Sequence, residues 1–188
     1  PDQYLRSLGL ELTFACDRSA HLPRASQLTQ KTNQFNLTTR RYSESELERI
    51  LCEGGHIYTF SLQDRFGDYG IVGVAIIRFD NNGRQAVFDS FLLSCRALGR
   101  NVETAACHWI LEQLIQRGVE SLEGTYLPTP KNRQTADFYD RIGFRRVSVP
   151  AGNADIGAVA YHLTALDYAP PRDLGIKIID GDSGDNAA

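Results

Sequence analysis

The spacing of apolar residues changes along the chain and predicts where helices give way to strands. Every second residue from Leu8 to Phe14 is apolar, which predicts a half-buried strand within residues 1–15. Residues 24–35 carry apolar side chains at helical spacing and predict a short helix. Ser43, followed three residues later by Glu46, is a capping box, so a second helix is expected to begin there.

The second half of the chain combines both periods. Three strands are predicted in a row, because alternating apolar runs are separated by the turn sequences Phe66-Gly67-Asp68 and Asn81-Asn82-Gly83. A long amphipathic helix follows Gly99 and ends at Gly118. The predicted strands are 56–63, 69–79, 85–94, 121–127, 145–149 and 157–166, with a short helix at 134–142. The resulting order is β-α-α-β-β-β-α-β-α-β-β.

Composition limits the architecture and the class of partner. With 188 residues, 42% of them hydrophobic, the chain can bury one sizeable core, so we expect one domain over 1–168 and a flexible tail over 169–188. The net charge of −3 argues against a general nucleic-acid-binding protein. No apolar run is long enough for a membrane span and no signal-peptide pattern is present, so we expect a cytoplasmic protein.

Cysteine and histidine spacing argues against a metal site. The four cysteines are scattered and none forms a Cys-x-x-Cys pair, so neither a disulfide framework nor a zinc site is expected in this domain. The four histidines also lack the spacing of metal ligands. One cysteine, Cys95, stands out because it directly precedes a basic, glycine-containing loop.

That loop is the strongest chemical signal in the sequence. Its residues are Arg96, Ala97, Leu98, Gly99, Arg100 and Asn101, placed between a predicted strand and a predicted helix. Glycine lets the backbone approach a phosphate, free N–H groups at a helix start attract anions, and arginine binds phosphate bidentately. The loop therefore predicts a phosphate-bearing ligand. The alternative is a solvated basic turn.

The loop resembles the R-x-x-G-x-[small] motif with which GNAT-type acyltransferases hold the pyrophosphate of coenzyme A. The sequence departs from that motif at Asn101, where glycine or alanine is usual. The order of elements also resembles GNAT proteins. The resemblance implies an α/β (α+β) chain with the GNAT-like acyl-CoA N-acyltransferase fold, in which helices flank a mixed central sheet. It further implies that Asn132 contacts a pantetheine arm and that Tyr139 contacts the thioester sulfur.

Two longer blocks resemble FkbH-like proteins more closely. They are Thr-Gln-Lys-Thr-Asn-Gln-Phe-Asn-Leu-Thr-Thr-Arg-Arg-Tyr at 29–42 and Leu-Ser-Cys-Arg-Ala-Leu-Gly-Arg at 93–100. In that family a HAD-type phosphatase-like domain precedes a GNAT-like domain, and the pair is implicated in moving a glyceryl unit from 1,3-bisphosphoglycerate to an acyl carrier protein for polyketide extender units. The chain has no HAD nucleophile motif, so it resembles the GNAT-like half.

Three side chains are candidates for catalysis, each with a structural alternative. Cys95 would hold the acyl group as a thioester, or it is a buried apolar side chain. Asp89, six residues earlier, would share a face with Cys95 on an unbulged strand and act as a base, or it is a hydrogen-bonded strand acid. Tyr139 would protonate a leaving thiolate, or it packs in the core.

The ligand is expected to be coenzyme A or the phosphopantetheine of a carrier protein. We also expect a basic rim around the groove, which would dock an acidic acyl carrier protein. Its residues are Arg40, Arg41, Arg96, Arg100, Lys131, Arg133, Arg145 and Arg146. Three functions remain open: glyceryl transfer to a carrier-protein thiol, acetyl-CoA-dependent N-acetylation, and non-catalytic recruitment of carrier protein to a HAD-type partner.

Overall fold

The computed structural model describes residues 2–148 and 157–182. Its helices are α1 (Asp2–Ser7), α2 (Leu22–Lys31), α3 (Glu44–Cys52), α4 (Val102–Gln116) and α5 (Phe138–Ile142). Its strands are β1 (Glu11–Cys16), β2 (Phe35–Asn36), β3 (His56–Asp64), β4 (Gly67–Phe79), β5 (Gln85–Leu93), β6 (Ser121–Tyr126), β7 (Arg145–Val147), β8 (Val159–Thr164) and β9 (Lys177–Asp180). None of the described helices combines the length and apolar character that a bilayer crossing requires.

The strands form one mixed, nine-stranded sheet. Its order is β7-β8-β6-β5-β4-β3-β1-β9, and β2 pairs with β5 outside this path. β5 pairs with β6 in parallel and β9 pairs with β1 in parallel, whereas the other pairs are antiparallel. The expected mixed central sheet flanked by helices is confirmed.

Helices cover both faces of the sheet and divide the core in two. On one face α2 and α3 pack Leu28 and Leu47 against Val74 and Leu92 of the sheet. On the other face α4 and α5 bury a larger cluster that contains Leu111. Side chains alternate between the two faces along each strand and supply both clusters at once, which is why β4 has no polar side chain from Ile71 to Ile77.

The capping box is formed as predicted. The Ser43 hydroxyl accepts a hydrogen bond from the Glu46 backbone N–H at 3.3 Å, and the Glu46 carboxylate accepts one from the Ser43 N–H at 2.7 Å. These bonds satisfy donors that the first turn of α3 leaves free. The hydrogen bond from the Ser43 N–H also lowers the pKa of the exposed Glu46 carboxyl.

Two sequence predictions differ from the structure, one near the N-terminus and one after α2. The first strand was predicted within 1–15, but α1 occupies Asp2–Ser7 and the strand begins at Glu11. The helix predicted over 24–35 ends at Lys31, because the backbone at Phe35–Asn36 pairs with the edge of β5. This pairing is non-local, and helical spacing of side chains does not report it.

The predicted flexible tail from 169 contains a strand. Lys177–Asp180 forms β9 against β1, and the Asp182 carboxylate accepts a hydrogen bond from the Cys16 N–H at 2.7 Å. Residues 183–188 of the predicted tail lie outside the described residues, as does residue 149 of the predicted strand 145–149.

Candidate functional site

Cys95 lies at the surface, beside a groove. β5 ends at Leu93, and Cys95 begins a 3-10 turn (Cys95–Ala97) that leads to the glycine loop. Its side chain is exposed, so the alternative of a buried apolar cysteine does not hold. The adjoining groove, here called the Cys95 groove, has a volume of about 440 Å³. It is lined by Arg24, Leu28, Lys31, Thr32, Asn33 and Gln34 on one side and by residues 93–96 on the other.

The Cys95 groove is cationic. Arg24 and Lys31 lie seven residues apart and therefore share one face of α2, and Arg96 lies opposite them. Arg24 donates to the Ile71 carbonyl at 3.3 Å and to Gln27. Among the described residues, the side chains of Lys31 and Arg96 have no hydrogen-bond or ion-pair partner, so both are free to bind an anion next to the thiol. Residues on α2 were not predicted to belong to the site, although the seven-residue spacing of Arg24 and Lys31 was visible in the sequence.

The glycine loop contains two residues with positive φ and an arginine that is paired within the chain. Gly99 and Asn101 both have positive φ, 76° and 59°. Arg100 donates to the Asp64 carboxylate at 3.0 Å, and that carboxylate is almost fully buried. The Arg100 guanidinium also lies 4.9 Å from the Tyr69 ring centroid. Arg100 therefore fixes the loop to the β3–β4 hairpin, whereas Arg96 points outward; Leu98 packs against the core.

A β-bulge at Asp89 breaks the expected alignment of Asp89 with Cys95. Ile77 pairs with Phe88 and Ile76 pairs with Ser90, so Asp89 is the extra residue of β5. Because Cys95 also lies beyond the end of the strand, the prediction that both share a strand face is wrong.

The Asp89 carboxylate is saturated by donors. One oxygen accepts hydrogen bonds from Arg40 at 2.9 Å and Arg78 at 3.3 Å, and the other accepts them from Tyr42 at 2.5 Å and Ser90 at 3.2 Å. Burial and the bond to Asp89 raise the pKa of Tyr42 to about 12, so its hydroxyl stays protonated and donates. A carboxylate with four donors has no free lone pair for a substrate proton, so the strand-acid alternative describes Asp89 in this conformation.

β5 and β6 pair only at their beginnings and then diverge. The parallel pairing runs from Gln85 with Ser121 to Phe88 with Gly124, although both strands continue. The space beyond Phe88 and Gly124 is here called the strand gap. Residues 35–38, here called the gap segment, fill it.

Comparison with known proteins finds solved structures with a similar fold. Searches against protein-family models and against curated proteins find no match. The chain superposes on the ribosomal-protein-S18-alanine N-acetyltransferase of Escherichia coli with a TM-score of 0.62 and 16% identity, over 86% of this chain and 97% of that chain. The fold is that of the GNAT acetyltransferases.

Two further structures support the same assignment. Ard1 of Thermoplasma volcanium matches with a TM-score of 0.61 and 15% identity, over 81% of this chain and 97% of that chain. The spermidine N-acetyltransferase of Vibrio cholerae, solved in complex with CoA and spermine, matches with a TM-score of 0.61 and 12% identity, over 84% and 98% of the two chains. At these identities the likeness shows a GNAT fold, and the chemistry has to be argued from the residues of this chain.

Asn132 and Tyr139, the two positions where the GNAT resemblance implies pantetheine contacts, are both buried. The Asn132 amide donates to the carbonyls of Asn36 and Leu127, both at 2.9 Å, and its oxygen accepts from the Thr129 N–H at 2.7 Å. A weaker bond of 3.3 Å from the Tyr126 hydroxyl completes its capacity. Asn132 thus has no group left for a ligand.

Tyr139 lies in the aromatic core of the GNAT fold. It is 1% exposed, and its ring packs 4.9 Å from Phe144 and 5.2 Å from Tyr161 between centroids. Its hydroxyl is buried without a hydrogen-bond partner among the described residues, and this burial raises its pKa well above the ordinary value. The placement matches the core-packing alternative, since a general acid needs contact with the group that it protonates.

The start of α4 also bears on a fit to coenzyme A. Glu103, in the first turn, has a carboxylate oxygen that is buried without a hydrogen-bond partner among the described residues, and burial raises the pKa of this carboxyl. A carboxylate there competes with a phosphate for the helix N-terminus. Arg100 is paired with Asp64, every hydrogen-bonding group of the Asn132 side chain has a partner, and residues 35–38 fill the strand gap. In this conformation the residues therefore do not fit a coenzyme A that passes through the gap. Arg96 is the loop side chain that is free to meet an anion.

Most arginines of the predicted basic rim have acidic or carbonyl partners within the chain. Arg40 binds Asp89, and Arg41 donates to the Thr29 and Thr32 carbonyls at the end of α2. Arg145 and Arg146 pair with Asp167 and Asp140. Three members of the predicted rim, Arg96, Lys131 and Arg133, have side chains without a hydrogen-bond or ion-pair partner among the described residues. Lys31, which is outside the predicted rim, lines the Cys95 groove together with Arg96.

Each of the four histidines has a hydrogen-bond partner. His21, His56, His108 and His162 lie 2.6–3.1 Å from Thr59, Asp17, Tyr168 and Ser121, respectively. Cys16, Asp17 and His56 place one donor atom each within 4.8 Å of one another. Asp17 in this group already accepts hydrogen bonds from His56 at 2.6 Å and from the Ile57 N–H at 2.7 Å. The pairing of Asp17 with His56 therefore explains why these side chains lie close together.

Proposed function

We propose that this GNAT-fold domain is an acyltransferase of the FkbH-like kind, which passes a glyceryl-type acyl group to the phosphopantetheine thiol of an acyl carrier protein. The observation that carries the proposal is an exposed thiol, Cys95, in a groove with two unpaired cations, Lys31 and Arg96. A HAD-type phosphatase-like domain, in the same polypeptide or complex, is the proposed partner that supplies the glyceryl group. The pathway served would be polyketide extender-unit synthesis.

The proposed chemistry is acyl exchange through a thioester. The Cys95 thiolate attacks the C1 carbonyl carbon of a donor such as 1,3-bisphosphoglycerate, the carbon–oxygen bond of the mixed anhydride breaks, and the C1 phosphate leaves with the electron pair. The C3 phosphate ester would be hydrolysed by the HAD-type partner, with water as the second reactant and phosphate as the product, which leaves a glyceryl group. The carrier thiolate then attacks the Cys95 thioester, the carbon–sulfur bond to Cys95 breaks, and the released sulfur takes a proton. Lys31 and Arg96 line the same groove as the thiol, where their charges would stabilise the departing phosphate.

The cysteine step is tested by mass spectrometry on the intact chain. Incubation with the glyceryl thioester of N-acetylcysteamine, a mimic of the end of a pantetheine arm, should add one glyceryl group to the wild type. Cys95→Ser should lose the adduct, because a serine hydroxyl at a surface site without a base is a far weaker nucleophile. Cys52→Ser is the matched control, since Cys52 is also exposed but lies at the end of α3; it should keep the adduct.

Adding phosphopantetheinylated carrier protein should then remove the adduct from the wild type and from Cys52→Ser. An adduct of normal yield on Cys95→Ser would exclude this mechanism. Turnover of acetyl-CoA with an amine, unaffected by Cys95→Ser, would favour N-acetylation instead. Carrier binding without transfer in any assay would favour recruitment alone.

A further inference from the structure

The gap segment occupies a space that a ligand could otherwise enter, and it is held from both sides. The Leu37 N–H donates to the Phe91 carbonyl of β5 at 3.2 Å, and the Leu37 carbonyl accepts from the Leu127 N–H, just beyond β6, at 2.8 Å. Adjacent strands lie about 4.8 Å apart, so one extended segment that bonds to both neighbours leaves no width for a second chain.

Side-chain packing and a side-chain hydrogen bond also hold the gap segment in place. Phe35, Leu37 and Thr38 are each less than 5% exposed. The Phe35 ring lies 5.2 Å from Phe138 and 6.1 Å from Phe91 between centroids. The Thr38 hydroxyl donates to the Asp89 carbonyl at 3.1 Å, at the bulge of β5. Apolar burial of this extent opposes any opening that would expose these side chains to water.

Asn132 locks the gap segment to the far side of the gap. Its amide donates to the Asn36 carbonyl in a buried hydrogen bond and to the Leu127 carbonyl in a partly buried one. Asn36 itself is tied by its amide to the Thr32 carbonyl at 3.1 Å and by its oxygen to the Thr39 N–H at 2.8 Å. Thr39 has φ 52°, a conformation that β-branched residues rarely adopt and that persists only where surrounding contacts determine it.

We propose that residues 35–38 close the strand gap as a permanent part of the sheet, so that coenzyme A cannot thread between β5 and β6, and that a thiol reaches Cys95 from the α2 side through the Cys95 groove. The route to Cys95 rests on the proposed function, whereas closure of the gap does not. Free coenzyme A and the phosphopantetheine of a carrier protein end in the same kind of thiol-bearing arm. Closure of the gap therefore prevents either arm from binding between β5 and β6.

Hydrogen exchange of the wild-type chain tests the closure directly. The amides of Leu37 and Leu127 should be protected, and millimolar coenzyme A should leave their exchange rates unchanged, because the bonds that protect them are those of the closed gap. Faster exchange of both amides in the presence of coenzyme A would overturn the proposal. A rise in melting temperature with coenzyme A and unchanged protection would place the ligand elsewhere and support closure.

Asn132→Ala provides the second arm. Loss of the hydrogen bonds from the Asn132 amide to the Asn36 and Leu127 carbonyls should speed exchange at Leu37 and Leu127 about tenfold or more. Asn82→Ala, in the exposed β4–β5 turn, is the matched control and should leave both amides unchanged. Equal exchange in Asn132→Ala and wild type would show that Asn132 does not hold the segment. These readouts involve no acyl transfer, so failure of the Cys95 assay and failure of the closure are distinguishable.

Discussion

Arg96 and Arg100 belong to one loop but have different surroundings. Arg96 is exposed in the Cys95 groove, whereas Arg100 is paired with the buried Asp64. Asp64 also accepts from the Phe66 and Gly67 N–H groups and from the Tyr69 hydroxyl at 2.8, 3.2 and 2.9 Å. A basic residue in a glycine loop is therefore not by itself a phosphate ligand; its partners decide its role.

Arg100→Ala should destabilise the chain because it leaves the Asp64 carboxylate buried without its cation. Breaking a buried pair typically costs about 3–5 kcal/mol; we expect about 2–3 kcal/mol here, since three other donors remain. Arg96→Ala, in the same loop, should cost no more than about 0.5 kcal/mol. Urea unfolding measures both. Equal stability of the two variants would contradict the assigned role of Arg100.

The same pair predicts a dependence on pH. Burial by itself raises the pKa of Asp64, but the hydrogen bonds from Phe66, Tyr69 and Gly67, together with the charge of Arg100, outweigh it and hold this pKa below its ordinary value. Because the folded-state pKa is the lower one, the contribution of ionised Asp64 is complete above the unfolded value and is lost as pH falls through the folded value. The stability difference between wild type and Arg100→Ala should therefore be largest near neutrality and shrink below about pH 4.

At the scale of elements, close contact between neighbouring strands limits what β4 can contain. A Cβ atom at Gly73 would lie 1.9 Å from the Phe60 ring on β3, so the ring can take its place only because residue 73 has no side chain. Gly73 pairs with Leu93, the last residue of β5 before the Cys95 turn. The packing of Phe60 and the position of that turn are thereby coupled.

Gly73→Ala should destabilise the chain by about 1–3 kcal/mol or more, since overpacking forces neighbouring side chains off their preferred rotamers. Gly67→Ala, at the start of the same strand, meets no atom within 4 Å and is the matched control. Thermal unfolding followed by circular dichroism compares the two. A Gly73→Ala variant as stable as Gly67→Ala would show that Phe60 has room to move.

Local patterns predicted most elements, and the exceptions depend on distant partners. The Ser43 capping box and the Asn81-Asn82-Gly83 turn are encoded within a few residues and appear as expected. β2 exists because the edge of β5 is free beyond Phe88, a fact that residues 35–36 do not contain. The extra residue at Asp89 and the Arg100–Asp64 pair likewise join parts of the chain that sequence spacing does not relate.

Across the whole molecule, free positive charge near Cys95 contrasts with the net charge of −3. Within the Cys95 groove, the unpaired positive charges that would attract an acidic carrier protein are those of Lys31 and Arg96. Attraction of this kind raises association rates and weakens with salt, because the screening length falls from about 10 Å at 0.1 M to about 3 Å at 1 M.

The double variant Lys31→Glu with Arg96→Glu should slow acyl transfer to carrier protein roughly tenfold at low salt, and the deficit should shrink as salt is added. The double variant Arg84→Glu with Lys177→Glu is the charge-matched control, because both residues lie at the surface outside the Cys95 groove, where they pair with Glu120 and Glu11. Transfer rates measured across a salt series decide the matter. An equal deficit in both variants, or one that salt does not change, would show that docking does not use these cations.

The gap segment also determines how the two halves of the sheet are joined. Direct pairing between β5 and β6 spans only residues 85–88 and 121–124. Leu37, bonded to Phe91 on one side and Leu127 on the other, adds a second junction several residues further along. The two halves of the sheet, β1–β5 and β6–β8, are thus joined both by the direct pairing of β5 with β6 and by Leu37. The halves cannot rotate apart about the β5–β6 pairing while the hydrogen bonds of Leu37 remain intact.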